Sequence, residues 1–293
     1  MRLNKKIVFT FAFAVVCAVC LAQNTVDTKM IEGGGAGSYK AFATYNDSFP
    51  GYSVYRPINM EAAVQKTTLP LVVFTNGDSA CSLTKFDNFL NEIASFGYVV
   101  VAIGPFVGEN DETYDEISTR QSVEMLLKAA IDKMEKCVKD PQSDFYQMVD
   151  MKHIAYLGYS DGSSDVLRSA DDPRVTTAIC LNGGMKGDKS ILKTLTTPIL
   201  YLLGGPSDVA YKNAMDDYER ISSAFVAVGE YPYGPDGTYT EPFGGSFAQL
   251  ATQWLQWQLK ERPWDRAIFT GEECICVYSG WEMIQQNKNL LNL

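Results

Sequence analysis

Apolar residues along this chain fall in short unbroken runs, separated by segments with helical spacing. That alternation predicts buried strands alternating with covering helices. Leu69-Pro70-Leu71-Val72-Val73-Phe74, ending at Thr75-Asn76-Gly77, is one such run, and Tyr98 to Ile103 is another; Leu83 to Phe96 between them reads as a helix. A strand that is apolar on both faces must be covered on both faces, as in a parallel sheet held between two helical layers. The unit then repeats. A helix from about Thr119 to Val138 is followed by strand Ile154 to Leu157, helix Gly158 to Ala170, and strands Thr176 to Leu181 and Pro198 to Leu203. Helix Ala210 to Ser222, strand Phe225 to Gly229 and helix Ser246 to Lys260 complete it. In that last helix Phe247, Leu250, Trp254 and Leu255 share one face that must bury against the sheet. Earlier in the chain, Tyr39 to Tyr45 and Tyr52 to Arg56 read as an antiparallel edge around the Asn46-Asp47-Ser48 turn and Pro50.

The expected fold class is therefore α/β, a doubly wound and mostly parallel sheet, in a single domain over 39–293. Its tail, 261–293, is expected to pack Trp264, Phe269 and Trp281 back onto the body. Residues 23–38, interrupted by Gly33-Gly34-Gly35, read as a flexible strap leading into it.

Residues 1–22 carry Arg2, Lys5 and Lys6 ahead of the apolar run Ile7 to Val19, then Cys20-Leu21-Ala22, which is the pattern of a secretory signal peptide. The apolar stretch is shorter than the roughly 20 residues a bilayer needs, so the expectation is a secreted or periplasmic protein with no membrane span in the mature chain. Cleavage after Ala22 leaves Cys81, Cys137, Cys180, Cys274 and Cys276, an odd set. One or two disulfides are expected in an oxidising compartment, with at least one thiol left over.

The formal charge of −10 removes nucleic acid as a partner, since no basic patch interrupts it. No Gly-rich loop of the dinucleotide or phosphate-binding kind follows the first core strand. Cys274-Ile275-Cys276 is too closely spaced for a zinc knuckle. No cofactor and no metal are expected, and the acidic loop Gly108 to Glu116 reads as solvated.

Gly158-Tyr159-Ser160-Asp161-Gly162 is G-x-S-x-G placed after a buried strand and before a helix, the setting in which such a turn exposes a nucleophilic serine. Its acid partner is Asp208, in Gly204-Gly205-Pro206-Ser207-Asp208 after the apolar strand two positions on, hence at the same end of the sheet. Oxyanion donors are the backbone N–H of Asp161 and one from Gly77 or Asp78. The base is missing. His153, the single histidine of the chain, begins the strand that ends at Ser160, and seven residues at about 3.3 Å each place it roughly 20 Å away. A carboxylate with pKa near 4 has little driving force to take a serine proton. Lys186 can substitute only if buried with a lowered pKa.

These motifs resemble the α/β-hydrolase superfamily, and within it secreted esterase-like proteins related to dienelactone hydrolases. The resemblance runs from about Tyr39 to Trp281. It rests on Leu71 to Gly77, Phe89 to Tyr98, the Ser160 turn, Asp172-Pro173-Arg174-Val175, Gly204 to Tyr211, and Gly237-Thr238-Tyr239 with Glu241-Pro242 and Gly244-Gly245. It implies Ser160 as nucleophile, Asp208 as acid and Asn76-Gly77 with Asp161 as the oxyanion region. Relatives carry the catalytic histidine just ahead of the Gly-Thr-Tyr segment. Here that loop offers Glu230, Tyr233, Pro235 and Asp236 instead, Pro235 standing nearest the histidine's place. The resemblance thus implies an esterase-like Ser/Asp site that is catalytically impaired and binds a small-molecule or carbohydrate ester. The alternative is an active serine esterase on acyl or carbohydrate esters with an unusual base. Tyr231, Tyr233 and Tyr239 suit stacking on sugar rings, although packing around the long loop is the simpler expectation.

Overall fold

The computed structural model of the chain describes residues 27–45, 48–65, 67–77, 82–105, 121–232, 236–270 and 280–291. The leader 1–22, Asp78, Cys81, the acidic loop, Tyr233, Pro235, Cys274 and Cys276 lie outside the described residues.

In chain order the strands are β1 (Asp27–Lys29), β2 (Ala41–Tyr45), β3 (Tyr52–Pro57), β4 (Leu69–Thr75), β5 (Val99–Ile103) and β6 (Val149–Tyr159). They continue with β7 (Val175–Leu181), β8 (Ile199–Leu203), β9 (Val226–Glu230) and β10 (Glu282–Gln286). The helices are α1 (Met60–Ala63), α2 (Asp87–Ser95), α3 (Val123–Cys137), α4 (Asp161–Ser169), α5 (Tyr211–Arg220), α6 (Gly245–Lys260) and α7 (Pro263–Thr270). The ten strands form one sheet in the order β1-β2-β3-β5-β4-β6-β7-β8-β9-β10. Strands β5 to β9 pair in parallel through β4, and the antiparallel pairs lie at the two ends.

Successive residues of a strand point to opposite faces, so each apolar run supplies two cores. On one face Leu71, Val73, Val99, Val101 and Tyr156 pack with Leu127 and Ile131 of α3 and with Leu167 of α4. On the other, Val72, Phe74, Val100 and Leu157 pack with Phe89 and Ile93 of α2, Trp254 of α6 and Phe269 of α7. This is the doubly wound α/β architecture, and it is consistent with an α/β-hydrolase-like fold. Among the described residues no helix is long and apolar enough to cross a membrane.

Three local features depart from the sequence reading. Strand β6 starts five residues before the expected Ile154; its polar first half pairs only with the start of β4. The register slips there, from Pro70 opposite Asp150 to Leu71 opposite Ile154. A proline has no N–H to donate to the ladder, and the irregularity falls at that position. The tail contains β10, antiparallel to β9; its Glu-Met-Ile-Gln-Gln sequence has no apolar run to betray it. Phe269 and Trp281 are buried, but Trp264 is 80% exposed, since the face of α7 toward the body is already filled by Phe269 against Trp254 and Trp257. Cys137 and Cys180 are free thiols. Cys180 is fully buried inside β7, where it packs as a small apolar residue.

The chain enters β4, turns to β5 on one side, and returns to β6 on the other, so the strand order reverses between β4 and β6. At such a reversal two loops leave the carboxyl ends of neighbouring strands in opposite directions and leave a crevice between them.

Candidate functional site

The end of β6 makes the turn that the glycines foretell. Ser160 adopts φ 51° and ψ −117°, a conformation costly for any residue with a side chain. Its N–H donates to Leu181 O at 2.9 Å, and its carbonyl accepts from Ser163 N–H at 3.1 Å, so the turn is pinned on both sides. A Cβ at position 158 would lie 2.3 Å from Gly162 O, and one at 162 would lie 2.9 Å from Gly77 N. Only glycine lets the three backbones approach so closely. The Ser160 hydroxyl does not cap α4, the half-buried residue faces the carboxyl edge of the sheet, and its backbone rather than its side chain carries the local bonding.

Gly77, at φ +68°, runs directly beside the first turn of α4: a Cβ there would sit 2.0 Å from Gly162 N and 2.8 Å from Asp161 C. The loop after β4 and the helix N-terminus are thus in backbone contact, and the Gly77 N–H donates to Thr75 Oγ1 at 3.4 Å. Asp161 is exposed, and its carboxylate is ion-paired with Lys186. The Lys186 side chain is 63% exposed. It is not the buried amine that a lysine base would require.

Asp208 is buried after β8 with both carboxylate oxygens engaged. Oδ2 accepts from Asn182 Nδ2 at 2.7 Å and from Gly204 N–H at 3.0 Å, while Oδ1 accepts from Ala210 N–H at 2.9 Å. The Oδ1 of Asn182 in turn accepts from the Tyr239 hydroxyl. Tyr239 is fully buried among Phe86, Phe89, Tyr159 and Phe247, and burial holds its phenol well above the usual range, so it remains a donor. Of the two expectations for Tyr239, packing is the one realised: no face is open for stacking on a sugar. Tyr231 is half-buried with its ring 5.0 Å from Trp281.

The end of β9 and the loop after it send their carboxylates elsewhere. Glu230 accepts from the Tyr211 hydroxyl at 3.0 Å, and burial raises its pKa above the ordinary value. Asp236 accepts from Lys85 Nζ at 2.5 Å and from the Tyr159 hydroxyl at 3.1 Å, and Lys85 also donates to Tyr159 at 2.8 Å. Burial pulls the Lys85 ammonium down, but its bonds to Asp236 and Tyr159 outweigh that pull and its pKa is raised. Lys85 is held as a cation beside the residue that precedes Ser160. His153 lies in the first half of β6, six residues before its end at Tyr159, its Nδ1 2.6 Å from Asp150 Oδ2.

Three of these contributors have no place in the sequence reading. Asn182 follows β7 with φ 43° ahead of Gly183-Gly184, and a strand-end Asn before two glycines is the signal that could have found it. A Cβ at Gly183 would lie 2.3 Å from Ser160 O, which ties this turn to the elbow. Lys85 and the Tyr159 hydroxyl carry no such signal, because the loop that unites them comes from 151 residues downstream of Lys85.

Below the elbow, Asp165 of α4 has its pKa pushed up to about 6, chiefly by burial and next by Glu124, against the opposing pull of Arg168 3.6 Å away. A carboxyl that binds its proton more tightly when folded adds stability below the unfolded pKa near 4, and that stability is lost as pH rises through about 6. We expect Asp165→Asn to stabilise the protein at pH 7 by about 1–2 kcal/mol, after allowing for solvent screening, and to flatten the pH 4.5–7 slope of urea midpoints. An unchanged slope would remove Asp165 as its source. Among the described residues no group of three His, Cys, Asp or Glu side chains is placed to hold a metal ion. No family model and no curated protein matches the chain.

Proposed function

We propose that this chain is an exported protein of the α/β-hydrolase type whose elbow serine has lost its base, and which binds a small-molecule or carbohydrate ester instead of turning it over efficiently. The observation that carries this reading is the state of Asp208. In a working triad the acid orients an imidazole and stabilises its charged form. Here that carboxylate accepts from Asn182, Gly204 and Ala210, and the chain's single imidazole is engaged by Asp150, roughly 20 Å from Ser160 along the strand.

Substitute bases find no support either. Lys186 is solvated and paired, Lys85 is held in its charged form, Asp236 accepts from Lys85, Tyr159 and Gly237 N–H, and Glu230 serves Tyr211. What supports retention of a binding role is the strained Ser160 turn with Gly77 packed against α4, a costly geometry whose use is to present a hydroxyl and backbone N–H groups at a crevice.

The test is direct. The purified mature protein should hydrolyse p-nitrophenyl acetate no faster than Ser160→Ala does, within about twofold, and a fluorophosphonate probe should leave Ser160 unlabelled. Stoichiometric labelling, together with turnover that vanishes in Ser160→Ala, would establish the active serine esterase instead.

A further inference from the structure

Where β3 faces the loop that joins α3 to β6, two adjoining hollows of about 350 and 570 Å³ share Arg56 and Asp144 in their walls. Both volumes fall within the about 300–1,000 Å³ of small-ligand sites. They are remote from the serine turn: the loop enters β6 whereas Ser160 follows its end, and β5 and β4 separate β3 from β6 in the sheet. Arg56 Cζ lies 4.9 Å from the centre of the Phe42 ring and 5.7 Å from that of Phe145. Packed against two aromatic rings, the guanidinium makes its polar contacts through its N–H edge. That edge is scarcely used. Nη2 donates to Asp144 Oδ2 at 3.3 Å, the one hydrogen bond the group makes among the described residues, and the Asp144 side chain is 76% exposed. Arg56 itself keeps 15% of its side chain exposed, so its unused N–H groups remain within reach of a ligand.

The charges around Arg56 narrow the chemistry. Burial lowers its pKa, and Asp144 counters that only in part, so the cation is undercompensated where it sits. Asp140, exposed on the wall of the smaller hollow, is in the converse state: Oδ1 accepts from Gln142 N–H at 2.9 Å, and Oδ2 accepts nothing among the described residues. Arg56 and Asp140 thus line one cavity, each with bonding capacity to spare, and do not pair with each other. In the larger hollow Glu61 stands in the place of Asp140 as the second carboxylate. A ligand of one sign is opposed in either: an anion drawn to Arg56 meets the carboxylates, and an amine drawn to the carboxylates meets Arg56. A molecule that carries both charges answers both.

We propose that the smaller hollow binds a free α-amino acid as its zwitterion, with the carboxylate on the N–H edge of Arg56 and the ammonium on Asp140. A guanidinium edge matches the two oxygens of a carboxylate, and an ammonium group only donates, which is what an acceptor without a partner demands. Asp144 need not leave, since it occupies a single N–H of the fork. Cys137, a half-buried free thiol on the same wall, places a reporter in the cavity.

The test uses the full mature chain in titration calorimetry, with glycine, alanine, leucine and phenylalanine as probes and with acetate and methylammonium as controls that carry one charge each. At least one amino acid should bind with Kd of about 1 mM or tighter, and each control roughly tenfold more weakly or worse. Arg56→Gln and Asp140→Asn should each weaken amino-acid binding roughly tenfold or more. Asp140 is exposed and asparagine keeps an acceptor for Gln142 N–H, so that variant keeps the test usable if Arg56→Gln fails to fold. A saturating amino acid should also slow alkylation of Cys137 by iodoacetamide several-fold, read by peptide mass mapping. Ser160→Ala should bind as the parent does. Absence of binding by all four amino acids overturns the proposal, as does binding that a control equals, that survives Asp140→Asn unchanged, or that leaves the alkylation of Cys137 unaltered. Loss of binding in Ser160→Ala would also overturn it, by assigning the amino acid to the serine crevice.

Discussion

Asp208→Ala is expected to lower the unfolding free energy by about 4 kcal/mol or more, read from urea midpoints at constant slope. The carboxylate has three donors, Asn182 Nδ2, Gly204 N–H and Ala210 N–H, in a site only 4% exposed. Its removal orphans all three at once, and each buried donor left unpaired costs on the order of 1–3 kcal/mol. Asp208→Asn should cost less: its remaining oxygen can keep the two bonds now made to Oδ2, and only the contact with Ala210 N–H is turned donor to donor. The chemical reading and the structural one separate cleanly here. A triad acid awaiting an imidazole would show its loss in turnover with little change in stability. A bonded strut joining the ends of β7 and β8 shows it in stability first. A loss below about 1 kcal/mol for the alanine variant would mean that the three bonds contribute little, and the main support for an impaired site would go with them.

The contrast between Asp208 and Ser160 also shows how far the sequence can be read. Buried strands such as Val72-Val73-Phe74 and Val99-Val100-Val101 announce themselves because both faces need apolar side chains, and β4 and β5 stand within a residue or two of their expected bounds. The elbow is legible for a similar reason: only glycine tolerates the approaches at 158 and 162, so the constraint is written into residue type. Asn182 is not legible, because a carboxamide is a generic choice, and its partners Asp208 and Tyr239 come from loops 26 and 57 residues away. Strand β10 is hidden by its edge position: with one neighbour and much of it in contact with water, it needs no apolar run. Trp264 misleads because an aromatic residue in a tail looks like an anchor, whereas Phe269 on the same helix already occupies the available space. Local chemistry thus locates the serine, and only the assembled sheet reveals what Asp208 is bonded to.

Gly77→Ala is expected to be the more damaging change, costing above about 4 kcal/mol or abolishing soluble protein altogether. Two effects add at this position. The backbone is left-handed, φ +68°, which by itself costs a residue with a Cβ about 1–2 kcal/mol. The new carbon would also meet Gly162 N at 2.0 Å, Asp161 C at 2.8 Å and Gly162 Cα at 2.9 Å. All three are backbone atoms at the first turn of α4, so no side chain can rotate away, and relief requires the loop after β4 to move off the helix. Gly33→Ala isolates the first effect, since Gly33 is also left-handed, φ +59°, and a Cβ added there would meet no atom within 4 Å; it should cost only about 1 kcal/mol. The difference between the two variants in urea unfolding therefore measures the closeness of the β4 loop to α4. Equal costs would mean that the two backbones are not in contact, and the close approach of the β4 loop to the turn at Ser160 would lose its support. A cost at Gly77 several-fold larger fixes that contact as a constraint on the fold, because the same close approach that excludes a methyl group also brings the Gly77 backbone to the start of α4.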